Sequence, residues 1–142
     1  MTETADVWWP KPEAGDIVWC QFPHLPSLDP GPKPRPALVV RVKEHERVPH
    51  AYRAFVAYGT SQKTMALYKG EFLLQKNQSA AFQLSGLSFD TKFSFNKAAE
   101  LDFSSAWFKV SPAQKNTQTP KIGVLHSVYA RAAYAAYLTI YQ

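Results

Sequence analysis

Three short groups of residues carry side chains able to act on a substrate. They are Arg35, directly behind a proline-rich stretch; Thr60-Ser61-Gln62, behind an apolar run; and Asp90-Thr91-Lys92, beside another such run. A guanidinium held where a loop meets a strand suits phosphate, because its planar fork of donors matches phosphate oxygens. Nucleic acid is therefore the first substrate class to consider. Taken alone, the second group reads as a polar turn, since Gly, Ser and Thr favour turns. The third reads as a loop with a surface ion pair, a contact worth under about 1 kcal/mol. Other chemistries lack their residues. His24, His45, His50 and His126 are scattered, with none of the i, i+4 spacing that marks helical metal sites. Cys20 is the single cysteine, which excludes an intrachain disulfide and a cysteine-rich zinc site. The six glycines stand apart, so there is no glycine-rich phosphate loop, and no Gly-x-Ser-x-Gly elbow occurs.

Several elements must position these groups. Residues Gly15 to Phe22 are apolar on both faces, as in a strand buried on two sides. A loop with Pro23, Pro26, Pro30, Pro32 and Pro34 follows, and proline's fixed φ and missing donor keep it out of a helix or central strand. It is expected to stand off the sheet as a stiff flap over 23–35, with Arg35 at its root. In the next strand Leu38, Val40 and Val42 are expected on one face, with Val39 and Arg41 on the other. Residues 52–58 alternate again, Tyr52, Ala54, Val56 and Tyr58 against Arg53, Phe55 and Ala57. Further apolar runs lie at Glu71–Leu74, Leu87–Phe95 and Trp107–Val110. Eight of the eleven prolines fall between Pro10 and Pro36, and Trp8 and Trp9 are expected to pin the N-terminal arm, residues 1–14, against the domain or a second subunit. Near the C-terminus Thr119-Pro120 reads as an N-cap and first-turn proline. Beyond it Ile122, Leu125, Tyr129, Ala132, Ala133, Ala136, Tyr137 and Ile140 recur at helical spacing, which predicts a helix over 120–140. The expected class is α+β, mainly β: one domain over 1–142, a small curved sheet or barrel closed by that helix.

Composition is consistent with a folded, mildly basic domain: 46% hydrophobic residues and a net charge of +5 among 142 residues. Basic side chains concentrate between Gly31 and Arg53, where Lys33, Arg35, Arg41, Lys43, Arg47 and Arg53 face only Glu44 and Glu46. No apolar run approaches the roughly twenty residues of a membrane span. The polar, acidic start (Thr2, Glu3, Thr4, Asp6) is unlike a signal peptide, so a cytoplasmic location is expected and no membrane partner.

Three segments in order resemble the MazF/PemK family, the toxins of type II toxin–antitoxin systems. Gly15-Asp16-Ile17-Val18-Trp19 resembles the family's opening strand. Arg35-Pro36-Ala37-Leu38-Val39-Val40 resembles its arginine-proline-alanine strand, and Tyr58-Gly59-Thr60-Ser61-Gln62 its Thr/Ser-rich turn. The resemblance implies an SH3-like small barrel, usually a homodimer, that cuts single-stranded RNA at selected sequences without a metal or other cofactor. It also implies a cognate antitoxin protein as partner. The family's functional pair carries over to Arg35 and Thr60, and Asp90 matches an acidic residue some members use near the scissile phosphate. His24 on the flap is the rival base. Lys33, Ser61, Gln62 and Lys92 are the expected RNA contacts, with Tyr58 and Trp107 as possible stacking residues that read otherwise as core. The chain departs from the family in its proline-rich flap and in extra sequence around 76–106. The competing expectation is the same barrel without catalysis, binding nucleic acid or a protein partner through a groove or strand edge.

Overall fold

Strand alternation over the first sixty residues builds the centre of the molecule. The structure, a computed structural model, describes residues 6–23, 29–31, 33–112 and 118–141. Six strands form one antiparallel sheet: β1 (Asp16–Cys20), β2 (Arg35–Glu44), β3 (Tyr52–Thr60), β4 (Glu71–Leu74), β5 (Thr91–Asp102) and β6 (Lys121–Val124). Their order is β4-β5-β3-β2-β1-β6, a curled half-barrel in which β4 and β6 are not paired with each other among the described residues. Two helices accompany it, α1 (Ala80–Leu84) and α2 (Ala130–Leu138). The chain is thus mainly β with a short C-terminal helix. No helix among the described residues is long and apolar enough to cross a membrane.

Both faces of the central strands are covered, as their double-sided apolar pattern requires. On one face Ile17, Leu38, Ala57, Phe72, Leu74 and Phe93 pack beneath the helices, with Phe82 from α1, Ala136 from α2 and Tyr129 before it. On the other, Val18, Cys20, Val39, Val56 and Leu101 pack against Phe103 and Phe108. Burial there pushes the Cys20 thiol far above its ordinary range, so it serves as a small hydrophobe. The N-terminal arm closes this second core. Trp9 Nε1 donates to the Phe108 carbonyl at 3.0 Å, and Trp8 meets His45 edge-on at 5.2 Å. The tryptophans therefore pin the arm to its own domain.

Two expectations are corrected. Residues 120–140 are not one helix: 121–124 form β6, a 3-10 turn follows at Ser127–Tyr129, and α2 begins at Ala130. The reason is the exposed edge of β1, whose backbone groups need partners. Pro120 supplies a carbonyl to Trp19 N at 2.9 Å, and β6 pairs with the rest of β1. The cap lies later, at His126, whose Nδ1 accepts from Val128 N at 2.9 Å. Ile122, Leu125, Ala133, Tyr137 and Ile140 still reach the first core, but Ala132 is exposed. In β2, a register shift between Val39 and Arg41 breaks the alternation. Leu38 and Val40 pack on the first core, while Val42 turns to the second. A bulge inserts one residue, which moves everything beyond it to the opposite face.

Candidate functional site

β2 begins at Arg35 and β3 ends at Thr60, and they run antiparallel with Ala37 across from Tyr58. Carrying that register on by two residues sets Arg35 across from Thr60. The backbones approach closely here: a Cβ on Gly59 would lie 2.6 Å from the Pro36 carbonyl oxygen and 2.7 Å from the Phe93 ring. Only glycine fits. Arg35 and Thr60 accordingly line one cavity of about 270 Å³.

Its wall is assembled from five of the six strands and the loops beside them. Trp19 of β1, Pro36 of β2, Thr91 of β5 and Ile122 of β6 contribute, together with the loop Gly86-Leu87-Ser88-Phe89 that leaves α1. That loop is pressed onto β6. Gly86 has φ +72°, and a Cβ there would sit 1.8 Å from the Ile122 carbonyl oxygen. The chemistry of the lining is simple: hydroxyls from Thr60, Ser61, Ser88, Thr91 and Ser111, the Gln62 amide, and Arg35 as the one charge among the described lining residues. Each ion pair among the described residues lies elsewhere, so no carboxylate there neutralises Arg35. Thr60 Oγ1 accepts from Gln62 N at 3.0 Å, which fixes the turn and leaves the hydroxyl proton free to be donated. A cation and several donors in a concave wall favour an anion. No group of three or more His, Cys, Asp or Glu side chains that could hold a metal ion assembles among the described residues.

Asp90 lies in a neighbouring cavity of about 590 Å³, with Ser61, Gln62, Lys76, Ser88 and Phe89. Ser61, Gln62, Ser88 and Phe89 therefore belong to both. Asp90 Oδ1 accepts from Lys76 N at 2.6 Å, at the start of a 3-10 turn. Lys92 is placed differently from the rest. Its ammonium is buried, 3.0 Å from Glu71 Oε1 and 2.8 Å from the Ala66 carbonyl, with Tyr68 beneath it. Lys33 is exposed and lines neither cavity. His24 and the middle of the flap (24–28 and 32) lie outside the described residues. Of the two aromatics named for stacking, Tyr58 packs on Phe22 with ring centroids 5.3 Å apart, and Trp107 packs on the second core.

Sequence reasoning passed over Gly86, Ser88 and Phe89, because residues 87–95 read as one apolar strand. The punctuation was present: Gly86 in front, and Ser88 and Asp90 within the run, mark a loop before β5 starts at Thr91. Comparison with known proteins finds no family model that matches this chain, and no curated protein matches it.

Proposed function

We propose that the chain is a MazF/PemK-like toxin with an SH3-like barrel, acting in the cytoplasm as a metal-independent endoribonuclease on single-stranded RNA. One observation carries this reading: Arg35, without a carboxylate partner among the described residues, shares a cavity with Thr60 at the converging ends of β2 and β3. The motif order over Gly15–Gln62 supports it. A homodimer and a cognate antitoxin belong to the same proposal.

In the proposed reaction the 2′-oxygen of one nucleotide attacks the adjacent phosphorus and the P–O5′ bond breaks. The 2′ proton passes to a base and the leaving O5′ takes up a proton, giving a 2′,3′-cyclic phosphate and a 5′-hydroxyl. Arg35 neutralises charge building on the equatorial oxygens, where donors set in advance are most effective. It does not act as the base, since its pKa exceeds about 12. Thr60 donates its hydroxyl proton to a phosphate oxygen and orients the group. Asp90 is the base in this scheme. One carboxylate oxygen accepts from Lys76 N, and Asp90 lies in the neighbouring cavity, which shares Ser61, Gln62, Ser88 and Phe89 with that of Arg35.

A specific observation favours a second reading. The described residues lining the Arg35 cavity include no carboxylate and no imidazole. A barrel that grips a phosphodiester without cutting it needs neither. Induced expression followed by mapping of RNA 5′ ends separates the two. The nuclease reading expects new 5′-hydroxyl ends at a recurrent sequence, absent with Arg35→Ala. Intact RNA together with measurable RNA affinity establishes the binding module instead.

A further inference from the structure

We propose that Phe89 is a nucleobase-stacking residue, and that the cavity holding Asp90 takes the base of the nucleotide next to the gripped phosphate. This rests on the reading that a polynucleotide backbone crosses the Arg35–Thr60 cavity. Phe89 is 69% exposed and lines both cavities. Its backbone is held firmly. Thr91 Oγ1 donates to the Phe89 carbonyl at 2.8 Å, Asp90 is tied to Lys76 N, and Leu87 N donates to the buried Ser85 hydroxyl at 3.2 Å. Leu87 itself packs on the first core. A phenyl ring that faces solvent from a backbone held in this way is well placed to serve as a platform.

The surroundings of the ring favour a base over a purely apolar ligand. Gln62 offers both a carbonyl and an amide, and Ser61 and Ser88 offer hydroxyls. Such groups can bond the edge of a base while its face lies on Phe89, the usual arrangement for unpaired RNA. Stacking tolerates any base, so Phe89 supplies affinity, whereas Gln62 is placed to discriminate between bases. A phosphate in the first cavity and a base in the second would be neighbouring parts of one nucleotide chain.

The test measures binding of full-length protein to two strands that cannot be cut: a mixed-sequence 2′-O-methyl oligonucleotide, and a fully abasic strand of equal length. Phe89→Ala should bind the first about tenfold more weakly and the second unchanged, while Phe89→Tyr restores affinity. A 2-aminopurine placed in the first strand should be quenched by the unaltered protein and not by Phe89→Ala. Arg35→Ala should weaken binding to both strands and lower the salt dependence. Loss with Arg35→Ala but equal binding by Phe89→Ala overturns the stacking proposal and leaves the phosphate reading standing. Unaltered binding by Arg35→Ala, or no binding by the original protein, overturns both.

Discussion

The two ends of the β2–β3 ribbon treat charge in opposite ways. At the end where β2 finishes and β3 begins, several charges meet their opposites. Lys43 lies 3.3 Å from Glu46 and 3.4 Å from Glu100, and Arg53 lies 3.0 Å from Asp102 and 3.6 Å from Glu100. His45 joins through Nε2, 3.5 Å from Asp102, while its Nδ1 accepts from Arg47 N and Val48 N. At the other end Arg35 faces a cavity with no carboxylate partner among the described residues, and Lys92, on the neighbouring strand, is sealed against Glu71. Of these pairs only the buried Lys92–Glu71 contact is expected to matter much for the fold. A cation with no carboxylate partner among the described residues, in a concave wall with several hydroxyls, contributes little to the fold and is available to a ligand.

That contrast can be broken at several points, beginning with the largest effect. Lys92→Ala should destabilise the fold by about 3 kcal/mol, since it strands a nearly buried Glu71 carboxylate. Urea unfolding measures this, and RNA affinity should keep its salt slope if Lys92 is structural; a reduced slope would restore it as an RNA contact. Arg35→Ala should do the reverse, leaving the unfolding midpoint in place while RNA cleavage falls about a hundredfold or more. Thr60→Ala should lower cleavage about tenfold, the scale of one hydrogen bond to a charged group, and Thr60→Ser should recover most of it. At the far end Arg53→Ala should cost under about 1 kcal/mol, because its pairs are only partly shielded from water, and cleavage should not change.

The smallest effect belongs to Lys43. Its hydrogen bond to Glu46 holds that carboxyl below its ordinary range, so any stabilisation is present at neutral pH and fades as pH falls through the carboxylate range. Both side chains are exposed, and solvent screens the pair. Lys43→Ala should leave acid unfolding unchanged within error.

Much of the architecture was legible along the chain. Tyr52 to Tyr58 alternate in the structure as they do in the sequence, with Tyr52, Ala54, Val56 and Tyr58 on one core and Ala57 on the other. Glu71–Leu74 is β4 to the residue. The failures share one cause. Residues 121–124 carry helical spacing yet form a strand, because β1's open edge lies about a hundred residues earlier in the chain. The stripe at Leu38, Val40 and Val42 divides at a bulge that depends on how β2 meets β3.

What the chain determined by itself was local: where strands alternate, where prolines stiffen a loop, and that an arginine stands at that loop's root. Periodicity and propensity act over a few residues, so sequence reports them. That Lys92 is paired while Arg35 has no carboxylate partner among the described residues was decided only when the sheet formed. Lys92 and Glu71 are 21 positions apart, and Phe89 and Gln62 line the same cavities because β3, β5 and the loop after α1 converge. Partners fixed by tertiary contact leave no local pattern to read.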